Sequence, residues 1–114
     1  MKKFMFLIRE DLARLAQMDE AELQADIAAM TAWAEELAAG GNLLSGEPLE
    51  PDTRYITKNH IASDGPFAEA RESVSGYFLI QAADLEEAAR IAATCPSLQD
   101  DKIAIEVRPL MIYA

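Results

Sequence analysis

Two runs, FMFLI at residues 4–8 and YFLIQA at residues 77–82, are rich in aromatic and aliphatic side chains at odd and even positions alike. A strand turns successive side chains to opposite faces, so strands of this kind require an apolar cover on both faces of their sheet. The chain has 114 residues, which makes a single domain over residues 1–114 with material for one covering layer but hardly for two. With 51% hydrophobic and 26% charged residues it has the composition of a folded chain.

The remaining segments say what the cover is. Lys3 to Ile8 reads as a first strand, and Arg9 to Met18 as a polar connection. Asp19 followed by Glu22 forms a capping box, with Met18 and Leu23 placed for a hydrophobic staple. Leu23, Ile27, Met30, Ala34 and Leu37 then recur at helical spacing until Gly40-Gly41 stop the helix. Gly46 to Asp52 contains two prolines and reads as a loop, and RYITKNHIAS as two short strand pieces hinged near Lys58-Asn59. Tyr77 to Ala82 is a central strand, Asp84 and Glu87 make a second capping box, and the following helix must stop before Pro96. Leu98 to Lys102 reads as a polar turn, and IAIEVRPLMIY at residues 103–113 as a last strand.

The order strand, helix, strand hairpin, strand, helix, strand predicts an α+β fold of the ferredoxin-like βαββαβ type with both helices on one sheet face. The second face then needs a cover from outside the chain. A symmetric homodimer with two sheets packed face to face, an α+β barrel, supplies it.

Charge excludes several functions. Ten Lys and Arg stand against 20 acids, a net charge of -10 with a pI near 4.4, which opposes binding to nucleic acid or to an anionic membrane. No run approaches the roughly 18 apolar residues of a membrane span, and Arg9-Glu10-Asp11 ends the N-terminal apolar run too early for a signal peptide. A single cysteine, Cys95, allows no intramolecular disulfide and reads as a buried structural thiol in a cytoplasmic protein. One histidine and scattered carboxylates give no metal spacing, and a glycine-rich nucleotide loop is missing, so no cofactor is expected. Glu20, Glu22, Asp26, Glu35, Glu36, Glu86 and Glu87 read as solvated helix faces.

The segment Asp64-Gly65-Pro66-Phe67 is the candidate for chemistry. Pro66 has no N–H, so the Asp64 carboxylate loses its usual local partner two residues on. Pro66 suits the first position of a helical turn, which Asp64 could cap while Phe67 anchors the loop. The other reading is a carboxylate placed for proton transfer. His60, the one histidine, lies four residues away, a spacing of roughly 13 Å along an extended strand, and reads as a hairpin surface residue. Glu106 and Arg108 break the apolar pattern of the last strand, either as an interface ion pair or as cleft residues. Grouped with Asp64, Arg54 and Tyr55 they would make a small polar site for an organic acid or hydroxylated metabolite.

Asp64-Gly65-Pro66-Phe67, Glu69, Arg71-Glu72, Gly76-Tyr77, Arg108-Pro109 and Glu47-Pro48-Leu49 after Gly46 together resemble the YCII-related proteins of the DGPF group. The resemblance runs from the first strand to Arg108-Pro109 and implies a dimeric α+β barrel of ferredoxin-like subunits. In the YciI-type branch it also implies a first-helix histidine acting with the motif Asp. Residues 19–40 contain no histidine, so that dyad does not carry over. Two functions are therefore expected. One is a homodimer binding a small polar molecule near the DGPF loop, with Asp64 as general acid or base and Arg71 or Arg108 holding an anionic group. The alternative is a non-enzymatic accessory or regulatory dimer acting through a protein partner, for example an extracytoplasmic-function sigma factor.

Overall fold

A computed structural model describes residues 1–62 and 72–112. Strand β1 (Lys2–Asp11) leads through α1 (Leu12–Gln17) into α2 (Glu20–Ala39). Then come β2 (Leu43–Pro48), the short β3 (Tyr55–Thr57) and β4 (His60–Ala62), β5 (Glu72–Ala82), α3 (Leu85–Ala92), the helical turn α4 (Pro96–Gln99) and β6 (Ile103–Pro109). The main sheet has the order β2-β5-β1-β6, and its three pairings are all antiparallel. This is the strand order of a ferredoxin-like fold, in which each helical crossover skips one strand.

Both capped helices start where the sequence places them. The Asp19 carboxylate accepts from the Glu22 N–H at 2.8 Å, and Asp84 accepts from the Glu87 N–H at 2.8 Å. Gly41, at φ +80°, takes the left-handed conformation that ends α2.

Four expectations need correction. The stretch after Ile8 is not a polar connection: β1 runs on to Asp11, whose side chain caps α1 by accepting from the Ala13 N–H at 2.9 Å. The second sheet strand is Leu43–Pro48, half of which reads as loop, while β3 and β4, among the described residues, pair with each other as a separate two-stranded sheet. Proline is tolerated in β2 because β2 is an edge strand. The helix read over LEEAARIAATC stops before Pro96 as expected but already at Ala92, and Pro96 opens the helical turn α4, which takes in Leu98 and Gln99 of the stretch read as a polar turn. Finally, Asp26 is not a solvated helix-face acid, since its carboxylate is bound by Lys102 at 2.8 Å.

The core lies between the sheet and the helices. Phe4, Phe6, Ile8, Ile80, Ala82 and Ile103 from the strands meet Trp33 and Leu37 of α2, Ala88 and Ala92 of α3, and Cys95. Trp33 stacks against both Phe6 and Phe78, with ring centroids 6.3 and 5.1 Å away. Its indole N–H donates to Thr94 Oγ1 at 2.9 Å, which ties α2 to the end of α3. On the other sheet face, Met5, Leu7, Tyr77 and Leu79 are each partly exposed. The described residues span only 19 Å along the shortest axis, the thickness of one helix layer on one sheet.

Candidate functional site

The sheet face that carries the helices is not filled evenly. Gly46 and Pro48 on β2 lie opposite Phe78 and Gly76 on β5, and Gly76 also lies opposite the buried Ile8. Two of these helix-facing positions have no side chain, so the sheet is bare at that end. A Cβ added to Gly46 would come within 2.6 Å of the Phe78 ring, and one added to Gly76 within 3.0 Å of the Glu47 carbonyl. Close approach of β2 to β5 therefore requires glycine at both positions.

Above the bare end lies the N-terminal half of α2. The apolar stripe of that helix divides at Met30. Leu37 is buried in the core, as is Trp33, which the stripe leaves out, whereas Leu23 and Ile27 are 40% and 49% exposed. Between this half-helix and the sheet is a cavity of about 350 Å³, within the range of small-molecule sites. Its walls are mostly apolar, contributed by Ile8, Leu15, Met18, Leu23, Ile27, Met30 and Phe78.

Charged groups sit at one end. Glu10 from β1 and Asp26 from α2 line the cavity, and both side chains are about four-fifths buried at 19% and 18% exposure. Arg14 of α1 reaches both, with Nη2 at 3.6 Å from Glu10 and Nη1 at 3.5 Å from Asp26. These contacts are longer than the 2.7–2.9 Å usual for charge-assisted hydrogen bonds. Among the described residues the Arg14 Nε is buried without a hydrogen-bond partner. Asp26 is bound more closely by Lys102, and that hydrogen bond raises the Lys102 ammonium pKa above its ordinary value. Asp101, at φ +56°, makes the left-handed turn immediately before Lys102.

A second charged group occupies the opposite sheet face. Arg9 donates through Nε and Nη2 to Glu106 Oε1 at 3.0 and 2.8 Å, and Arg108 Nη1 donates to Glu106 Oε2 at 3.1 Å. The two guanidinium groups hold the Glu106 carboxyl below the usual carboxylate range. Glu106 and Arg108 thus meet as the sequence suggests, and Arg9 joins them because β1 and β6 are neighbours.

The remaining candidates lie elsewhere. His60 and Tyr55 are exposed on the β3–β4 hairpin, where the Thr57 hydroxyl donates to the His60 carbonyl. Arg54 precedes the hairpin and donates to the Thr53 carbonyl. Asp64, Gly65, Pro66, Phe67 and Arg71 lie outside the described residues. Sequence reasoning missed Glu10, Arg14 and Asp26, whose only local signal is the spacing of four between Glu10 and Arg14. The single thiol matches expectation: Cys95 is fully buried, with its Sγ 3.5 Å from Met30 Sδ, and burial pushes its pKa up.

Comparison with known proteins gives two findings. The family model described as YCII-related domain matches residues 3–111. An uncharacterized protein of Rhizobium meliloti (strain 1021) is 39% identical over 70 residues, covering 57% of this chain. The match spans 56% of that relative's own length.

Proposed function

The chain belongs to the YCII-related domain family, and from that premise we propose that it is a homodimer whose cavity between α2 and the sheet binds a small molecule. The carrying observation is the cavity of about 350 Å³ over Gly46 and Gly76. Ser75 and Gly76 in its wall follow soon after the DGPF segment, which supports Asp64 as the group presented to the bound molecule. In the catalytic form of this reading Asp64 is the general acid or base. Arg54, Tyr55 and His60 are not among the residues that line the cavity. Glu106 and Arg108, being on the other sheet face, serve the contact between the two sheets.

Native mass spectrometry of the freshly purified protein, set against its denatured mass, tests both parts. A dimer with retained small-molecule mass that disappears in an Ala34→Trp variant, where the indole fills the cavity, is the expected result. A monomer, or retained mass insensitive to Ala34→Trp, overturns it.

A second reading is favoured by the exposed acids Glu20, Glu22, Glu35 and Glu36 on α2. It makes the dimer an accessory or regulatory protein that presents this surface to a basic protein partner, such as an extracytoplasmic-function sigma factor. Replacing those acids with Gln should then abolish partner binding and spare any cavity ligand.

A further inference from the structure

We infer that the cavity selects a compact apolar molecule bearing an ammonium group, with the ammonium at the Glu10 and Asp26 end. The inference rests on the ligand-binding reading above and adds the chemical class. Charged side chains form part of the wall. Those among the described residues are Glu10, Asp26 and Glu47, all acidic. The Glu47 carboxylate lies 3.5 Å from the Tyr77 hydroxyl, and its strand position shares the face of Tyr77 rather than that of Ile8, so Glu10 and Asp26 remain as the carboxylates of the cavity.

These two differ in how well they are neutralised. Asp26 has Lys102 at 2.8 Å and Arg14 at 3.5 Å. Among the described residues Glu10 has one ion contact, 3.6 Å to Arg14, a distance at which no strong hydrogen bond forms. A carboxylate about four-fifths buried beside an apolar cavity is under-solvated, and a donor carrying positive charge relieves it most effectively. Arg14 and Lys102 neutralise these acids from behind but are not among the residues that line the cavity, so a carboxylate ligand would meet both acids and no described cation in the wall. Leu23, Ile27, Met30 and Phe78 offer the apolar body its surface, and charge complementarity sets its polar end.

The test uses three probes of one shape: 2-phenylethylammonium, 2-phenylethanol and phenylacetate, each at millimolar concentration and pH 7. Methionine-methyl NMR reports binding. Met18 and Met30 line the cavity, whereas Met1 and Met111 are exposed and Met5 lies on the other sheet face, so the last three are internal references. The expected result is a shift of the Met18 and Met30 methyls by the ammonium compound at lower concentration than by the alcohol, with no shift by phenylacetate. Glu10→Gln should weaken the ammonium compound by about tenfold or more and leave the alcohol unchanged. Circular dichroism of Glu10→Gln checks that the fold persists. Phenylacetate or the alcohol binding as tightly as the amine, or an amine indifferent to Glu10→Gln, overturns the ammonium inference while leaving the cavity reading intact. Silence of all three probes also overturns it, and a bare native mass beside that silence removes the cavity reading as well.

Discussion

Arg9 places two of its nitrogens on a single oxygen of Glu106, and Arg108 takes the other oxygen. The carboxylate is thus shared between neighbouring β1 and a residue two positions along its own strand. Its pKa is lowered in the folded chain by hydrogen bonds from Arg9 first and Arg108 second. A lowered folded pKa means the unfolded chain binds the proton more readily, so stability from this group is present above the unfolded carboxylate value and is lost as pH falls through the folded one. Glu106→Gln should therefore melt at a lower temperature than the parent at pH 7, with the gap closing as the pH is taken below about 4. Thermal melts across that range check it, and a gap that stays constant would remove the charge argument.

The two glycines under α2 make a separate prediction. Gly46→Ala brings a methyl within 2.6 Å of the Phe78 ring and 2.9 Å of the Tyr77 carbonyl, so backbone must move. Overpacking of this kind costs about 1–3 kcal/mol. Gly76→Ala, with its nearest atom at 3.0 Å, should cost less. Urea titration of both variants should rank them in that order with unchanged slopes.

The parts of this fold that were legible in the sequence were those fixed by neighbours a few residues apart. Asp19 with Glu22, and Asp84 with Glu87, cap their helices through contacts three residues long. The two-sided strands also show themselves, because every residue of FMFLI is apolar. Edge strand β2 was not legible, since an edge position removes the burial and the hydrogen bonding that would exclude Gly46 and Pro48. The division of α2 into a core half and a cavity half was hidden for a related reason. Leu23 and Leu37 belong to one helical repeat, and only the missing side chains of Gly46 and Gly76 on distant strands decide which of them is covered, while Trp33 lies beside that repeat and is not read from it as core. The charged end of the cavity depends on contacts as far apart as Asp26 and Lys102, 76 residues in sequence.

Cys95 offers a simple chemical check. It is fully buried and burial raises its thiol pKa, so little thiolate is available near neutral pH. Ellman's reagent at pH 8 should react slowly with the native protein and stoichiometrically within minutes in guanidinium. Rapid native reaction would mean that the contact with Met30 opens readily.

Trp33 joins the two parts of α2, and its loss should be felt in both. Its ring is stacked on Phe6 in the core and on Phe78 in the cavity wall, and its indole N–H is bonded to Thr94. Trp33→Ala should cost about 3–5 kcal/mol, enough to unfold much of a small domain. Trp33→Phe keeps a stacked ring but leaves the Thr94 hydroxyl without this donor, so a smaller loss is expected, measured by thermal melting. The same substitution removes the only tryptophan, which confirms by loss of emission that the native signal reports this junction.

The open sheet face gives the last prediction. Leu79 lies across from Met5 there, is partly exposed, and belongs to a strand pair whose opposite face is core. If a second sheet covers it, Leu79→Lys places an ammonium in an apolar contact with no partner, an arrangement that dissociates subunits while leaving each one folded. Light scattering should show the parent at twice the subunit mass and the variant at one, with circular dichroism unchanged. A parent already at one subunit mass would refute the pairing, and a variant that stayed dimeric would move the interface away from this face. The contrasting control is Glu22→Lys on α2, an exposed site on the helix layer, which should leave the mass unaltered.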